Sequence, residues 1–426
     1  MSDIGTRTPA TPSAPVSVHD LDLPVVPLDA RDGTRDETAE IYHSLSAESW
    51  IARSQIGFSI LHYDDVTAIL RDKRWHNAVA KLPELRGITD PAFIDRPPSI
   101  LAAEGDLHVR LRRLVAKAFS PREADRLRPF MRDVVHDLVD DVAAAGRADV
   151  AVDICEPYPI PIICELLGAP REDWQLFSRW AEDVLRIFNG TALDELDVIK
   201  QAQLELNDYV REMIARRRSD PREDLITQLI AAEEEGDRLS TEELVSMVNA
   251  VIVGGTDTTR NQLGCAVGVF CDHPEQWALL AERPELAPQA VEEVMRYFGA
   301  VRGTGRFASE DIVYRDILFP AGTFVFPSLA SANFDADVVA DEGGVNTFDI
   351  TREPVKGRTQ MTFGSGIHYC LGASLARAEL QEALPILARR MPDLAVDGEI
   401  EWKPQTVAIF GAEQLPVTFT PSVPRS

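Results

Sequence analysis

Phe363-Gly364-Ser365-Gly366-Ile367-His368-Tyr369-Cys370-Leu371-Gly372 leads straight into Leu371–Arg390, where Leu375, Leu380, Leu384 and Leu387 share one side of a helical pattern. The glycines interrupt the chain before the cysteine, and the leucine spacing predicts a helix after it. Cys370 therefore falls at or just before a helix N-terminus. Unpaired N–H groups and the positive end of the helix dipole favour a thiolate there. A glycine-rich loop can also lay its backbone flat against a large planar ligand. A single thiolate, aimed by such a loop, is what one axial bond to a haem iron requires. Cys155, Cys164, Cys265 and Cys271 form neither a CxxC pair nor a zinc pattern and read as buried free thiols of a reducing compartment.

Upstream, Thr241–Cys271 reads as one long helix, apolar all round at Ala250-Val251-Ile252-Val253 and so buried there. Gly254-Gly255-Thr256-Asp257-Thr258-Thr259 follows. Each glycine costs a helix about 1 kcal/mol against alanine. A buried Asp costs more unless it is paired or solvated. Breaches of this kind gather at functional sites. Thr258 lies one turn beyond Gly254 and faces the same side.

These segments resemble the cytochrome P-450 superfamily. The cysteine loop matches F-x-x-G-x-x-x-C-x-G at every fixed position, and Gly254–Thr258 is similar to the A/G-G-x-D/E-T of its oxygen-activating helix. Glu293-Val294-Met295-Arg296, in itself an ordinary i,i+3 pair, matches the E-x-x-R that braces the haem loop. His108 and Arg112 match H-x-x-x-R, and Arg306 and His368 match two further partners of the haem propionates. The resemblance covers roughly residues 35–420. It implies a mainly α fold with a small β portion, a long central helix over a buried haem b, and Cys370 as axial ligand. Phe363, Gly364, Gly372 and Gly254 would then lie against the cofactor. Gly254 and Gly255 would open the helix to make room for dioxygen, Thr258 would hydrogen-bond it, and Asp257 would pass protons inward.

The implied activity is a monooxygenase that puts one oxygen atom of dioxygen into a C–H or C=C bond. The chain has no flavin or iron–sulfur segment, so electrons would come from a separate ferredoxin and its reductase. Arg110, Arg112, Arg113, Lys117, Arg122, Arg126 and Arg128 crowd one short stretch that either docks an acidic ferredoxin or is a solvated face. By resemblance Ala250, Val253, Gly254, Ala300, Val301, Arg302, Ile409 and Phe410 line the substrate pocket, roofed by the Lys81–Leu101 loop. That lining suits an apolar small molecule. Arg302 either binds a substrate carboxylate or points away. The alternatives are a peroxide-driven peroxygenase, whose relatives typically lack the acid–threonine pair, and a non-catalytic haem sensor or recruitment protein.

The chain has 426 residues and a formal net charge of -26, which disfavours nucleic acid and anionic membranes as main partners. Residues 1–34, rich in Pro, Thr and Ser, read as a disordered lead-in to a single domain over 35–426. Ile160–Leu167 is apolar but short and flanked or broken by Pro157, Pro159 and Pro161, too little to span a bilayer. These features predict a soluble, cytoplasmic monomer. Departures from the family pattern are Phe334 where an Arg is usual, a long acidic stretch Asp337–Val345, and Pro385 inside the helix after the cysteine. Gln405–Gly411 and Leu415–Phe419 read as a terminal hairpin.

Overall fold

The computed structural model describes residues 14–27, 35–95, 97–189, 191–234, 239–338, 344–404 and 409–425. Helices dominate, and the longest, Thr241–Asp272, is the central helix. At 1.5 Å per residue it runs about 48 Å. A capping box starts it: the Glu243 N–H donates to Ser240 Oγ (3.2 Å), while Glu243 Oε2 accepts the Ser240 N–H (2.8 Å). Its C-terminal half is buried almost all round, whereas in the middle Val251 and Ile252 are buried and Ala250 and Val253 only half-buried, which corrects the expectation of a run buried on every side.

The cysteine helix, Ala373–Arg390, packs along Pro121–Ala143 and against the central helix. It runs on through Pro385, as Pro121–Ala143 runs on through Pro129. A brace helix, Ala287–Tyr297, lies against the cysteine helix. The largest core cluster joins all four, and its centre includes Leu263, Val294, Leu380 and Leu384. Helix Pro159–Leu167, the proline-punctuated apolar stretch, is buried against the central helix. It ends at Gly168, whose positive φ of 81° suits glycine at a helix C-terminus.

The β portion is a five-stranded sheet in the order Ile51–Ser54, Gly57–Ile60, Phe324–Pro327, Arg306–Ala308, Trp75–Asn77. Only the Gly57–Ile60 and Phe324–Pro327 pair is parallel, with Phe58 opposite Val325. Gly57 approaches the Phe324 carbonyl so closely that a Cβ would stand 2.2 Å from its oxygen.

Two expectations are corrected. Part of the lead-in is built into the fold. Val16–Ser17 pairs in parallel with Ile317–Leu318, Val25 bridges Arg53, and Val18 is fully buried with Leu21 and Leu23 packed beside it. Alternating apolar residues gave this segment a sheet to join despite its prolines. The terminal hairpin is also partitioned differently. Ala412–Gln414 pairs with Glu401–Trp402, whereas Pro416–Thr418 sits between Ala395–Val396 and Arg147–Asp149. Gln405–Ala408 lies outside the described residues, as does most of the acidic stretch after Asp337.

Candidate active site

The cysteine loop is clamped from several sides. The Cys370 N–H donates to the Phe363 carbonyl (2.9 Å), and Gly364 N–H to the Met361 carbonyl (2.7 Å). Gly364 and Gly366 have positive φ (68° and 73°), and a Cβ on Gly366 would meet the Leu70 carbonyl oxygen at 2.1 Å. Both positions therefore need glycine. A Cβ on Gly364 would meet nothing within 4 Å, so this backbone borders open space. The Arg377 guanidinium lies 4.4 Å from the Phe363 ring centroid and reaches Glu292 (Nη2 3.0 Å) and Tyr369 Oη (3.0 Å). Thr362 Oγ1 donates to the Met295 carbonyl (2.8 Å). Loop, cysteine helix and brace helix are thus one unit.

Burial pushes the Cys370 thiol above its ordinary range, against the opposing pull of the Gly372 N–H, Arg112 and Arg377. The Gly372 N–H at the start of the cysteine helix pulls toward the thiolate, as the sequence pattern predicts. Desolvation outweighs the N–H and the two cations.

The E-x-x-R pair is a buried ion pair. Arg296 Nε and Nη2 each donate to Glu293 at 2.8 Å, and the pair is almost wholly buried. Sequence reasoning passed over a third member. Arg352 Nε stands 3.2 Å from Glu293 Oε1. Arg296 also donates to the Val345 and Thr347 carbonyls (2.8 and 3.0 Å), fixing the segment after the acidic stretch. Phe334, the departure from the family's Arg, carries the Arg296 guanidinium 5.6 Å above its ring.

Two guanidinium groups fit a dicarboxylate ligand. Arg306 is 3% exposed and makes no ion pair among the described residues. Its side-chain bonds are to Thr304 Oγ1 and the Gly305 carbonyl, both 2.9 Å, and burial lowers it to about 10. Arg112 donates to the Tyr369 carbonyl (2.6 Å) and is likewise lowered by burial. The His108 and His368 rings lie 4.4 Å apart, and burial lowers His108 to about 4, so it is neutral near pH 7. His368 Nε2 bonds Glu104 Oε1 (2.9 Å), an acid that sequence reasoning missed. Burial pushes the Glu104 carboxyl upward, but His368 and the Asn77 N–H hold it below its usual range. Arg112 and Arg306, guanidinium donors with no ion pair among the described residues, are what the haem propionates call for.

Open space also borders the central helix. Gly254 is exposed although Val251, Ile252, Thr256 and Asp257 around it are buried, and a Cβ there would meet nothing within 4 Å. Gly255 has a different duty, since a Cβ on it would stand 2.3 Å from Ile163 Cδ1. The helix is continuous through both glycines, so the expected opening is instead a bare patch. Thr258 Oγ1 donates to the Gly254 carbonyl (2.8 Å), one turn back on the same side. Asp257 is buried, bonded to Arg260 and 3.8 Å from Lys403 Nζ. The residues at hand fit a haem with room for a small ligand beside Gly254.

The expected substrate lining divides in two. Ala250, Val253 and Gly254 retain exposure along one helix stripe, and Val301 and Ile409 are partly exposed cross-strand partners. Ala300 and Phe410 are buried, Phe410 against Trp402 and Phe298, which places both in the core. The Arg302 guanidinium lies 4.8 Å from the Phe410 ring centroid. The Lys81–Leu101 roof is tied to neighbouring helices by Lys200 Nζ–Asp90 Oδ2 (2.7 Å) and Arg86 Nη2–Phe188 O (3.0 Å).

One buried acid has no place in the sequence reading. Glu379, on the cysteine helix, accepts from Thr259 Oγ1 (3.2 Å), and its Oε1 has no partner. Burial raises its carboxyl from 4.5 to about 8. The unfolded carboxyl ionises near the lower value, whereas the folded one keeps its proton to the higher. Between them the folded state binds more protons, so stability falls as pH rises. The wild type should lose about 2 kcal/mol between about pH 6 and pH 8 from this group. Glu379→Gln should flatten that slope in urea unfolding curves taken across the same range.

The family model described as cytochrome P450 matches residues 165–391. The chain is 35% identical over 366 residues to the mycinamicin IV hydroxylase/epoxidase of Micromonospora griseorubida, covering 84% of this chain and 89% of that one. It is also 35% identical over 371 residues to the vitamin D(3) 25-hydroxylase of Pseudonocardia autotrophica, covering 85% and 88%. Among solved structures it is similar to P450BioI in complex with hexadec-9Z-enoic acid ligated acyl carrier protein. There the TM-score is 0.82 at 30% identity, over 90% of this chain and 99% of that one.

Proposed function

The chain belongs to the cytochrome P450 family of haem-thiolate monooxygenases, and on that premise we propose that it oxidises a mostly apolar small molecule with electrons from a separate ferredoxin and its reductase. The observation that carries this is the bare Gly254 patch, flanked by Thr258 and Asp257, in a protein whose cysteine loop is rigidly held. A haem held through the Cys370 thiolate would supply the oxidising power for putting one oxygen atom of dioxygen into a C–H or C=C bond.

The chain's own residues do the rest. Cys370 would hold the haem iron through its thiolate, the anion being favoured by the Gly372 N–H, Arg112 and Arg377. Arg112 and Arg306 hold the propionates, with His108 and His368 as further donors. Thr258 presents its hydroxyl beside Gly254, and Asp257 supplies protons to it. Ala250, Val253, Val301 and Ile409 offer the substrate an apolar wall. The named substrates of the relatives and the acyl chain of P450BioI support an apolar class. No helix among the described residues is long and apolar enough to cross a membrane.

Docking of an acidic ferredoxin rests on Arg113, Lys117 and Arg122, exposed and without ion pairs among the described residues. Others of that basic stretch are already paired, Arg110 with Glu243, Arg126 with Glu123 and Arg128 with Asp125 and Glu382. Reversing Arg113 and Lys117 to Glu should lower the ferredoxin-dependent rate about tenfold or more at low salt and flatten its salt dependence. An unchanged rate would remove this face from the account.

The test of function is turnover with isotopically labelled dioxygen, a ferredoxin and its reductase. One labelled oxygen per product supports the monooxygenase. Product formed only with added peroxide supports the peroxygenase.

A further inference from the structure

Arg377 lies one turn into the cysteine helix, and its side chain returns over the loop to the Phe363 ring, 4.4 Å from the centroid. Three groups fix it there. Glu292, on the brace helix, takes Nε and Nη2 together as a two-pronged pair (Nη2 3.0 Å). The Tyr369 hydroxyl accepts from Nη1 (3.0 Å), and Phe363 offers its ring face. Glu292 is itself steadied by the Gln360 amide (3.3 Å). The Arg377 side chain is 25% exposed and that of Glu292 38%, so the inner member of the pair is the cation.

Burial presses the guanidinium toward its neutral form, but Glu292 and Tyr369 more than offset this and keep it charged. That charge reaches Cys370, where it pulls toward the thiolate. Arg112 pulls the same way, yet Arg112 also serves the propionates, whereas Arg377 is spent on the loop alone. A cation near a thiolate-bound iron favours whichever redox state carries more negative charge, which is the reduced one. A carboxylate paired with that cation damps the effect. Glu292 is so placed.

We propose that Arg377 is a positioning residue that acts through Cys370 to raise the potential at which a bound haem accepts its first electron, and that Glu292 holds this influence in check. This inference rests on the monooxygenase reading of the site.

Redox titration of the holoenzyme, followed through its visible spectrum, reads the effect without turnover. Arg377→Met removes the charge while keeping an apolar chain against Phe363. Its potential should fall by about 59 mV, a tenfold change in the one-electron equilibrium. Glu292→Gln leaves Arg377 on Phe363 and Tyr369 without the opposing charge, and the potential should rise. Both substitutions break the same ion pair, so a purely structural role would shift both potentials the same way. Arg377→Lys keeps the charge without the fork, and its potential should lie nearer the wild type than that of Arg377→Met. Any result other than a fall in Arg377→Met and a rise in Glu292→Gln overturns the proposal, as does a potential in Arg377→Lys equal to that in Arg377→Met. Should Arg377→Met fail to hold haem, Glu292→Gln decides alone: a raised potential supports the proposal, and an unchanged or lowered one overturns it. Absence of the red-shifted Soret band from the reduced carbon monoxide complex of the wild type would instead overturn the reading on which the proposal rests.

Discussion

Glu293→Gln should destabilise the folded protein by about 3–5 kcal/mol, the cost of removing one partner from a buried ion pair. Glu293 receives two bonds from Arg296 at 2.8 Å, one from Arg352 at 3.2 Å and the Asp349 N–H at 3.1 Å. An amide of the same shape keeps some of these acceptors but takes the carboxylate charge away from the buried Arg296 guanidinium. The loss would extend beyond this corner. Through Arg296 it would free the Val345 and Thr347 carbonyls, and through the brace helix it would loosen Thr362, which precedes the cysteine loop. Chemical unfolding should therefore show an earlier midpoint, with haem retention failing at lower denaturant than in the wild type. A midpoint within experimental scatter of the wild type would mean that the brace is dispensable.

Thr258→Val should lower product formed per electron consumed about tenfold or more, the scale of losing a positioned proton-transfer group. Valine nearly matches threonine in shape but lacks the hydroxyl that now bonds the Gly254 carbonyl. The i−4 carbonyl bond is local, and the central helix is held by packing along its full length, so the fold should survive. Electron consumption should continue while product falls and peroxide rises. Thr259→Val is the matched comparison. Its hydroxyl turns to Glu379 and away from Gly254, so product per electron should change little.

The sequence made the cysteine loop legible because each residue there answers a local demand that few substitutes meet. Gly366 must clear the Leu70 carbonyl, and Gly364 needs a positive φ. The central helix was legible by length and by its apolar run, and its bounds were read to within a residue. What stayed hidden depends on contacts between distant segments. Arg352 looks like any surface arginine until Phe348–Asp349 folds it onto Glu293. Glu379 sits in a helix pattern that gives no hint of full burial. Gly254 and Gly255 are adjacent in sequence, but only the packing of Ile163 shows that one clears a neighbour while the other faces open space. The desolvation around Cys370 was also hidden, because it is a property of the packed whole. Val16–Ser17 was likewise hidden, because its partner strand lies some three hundred residues away.

The central claim is that Cys370 ligates a haem iron, and the visible spectrum of the dithionite-reduced protein under carbon monoxide tests it most directly. The account predicts the strongly red-shifted Soret band of a thiolate-ligated complex in the wild type and its absence in Cys370→Ala. A Soret band at the ordinary histidine-ligated position in fresh, folded wild-type protein, unchanged in Cys370→Ala, would contradict it.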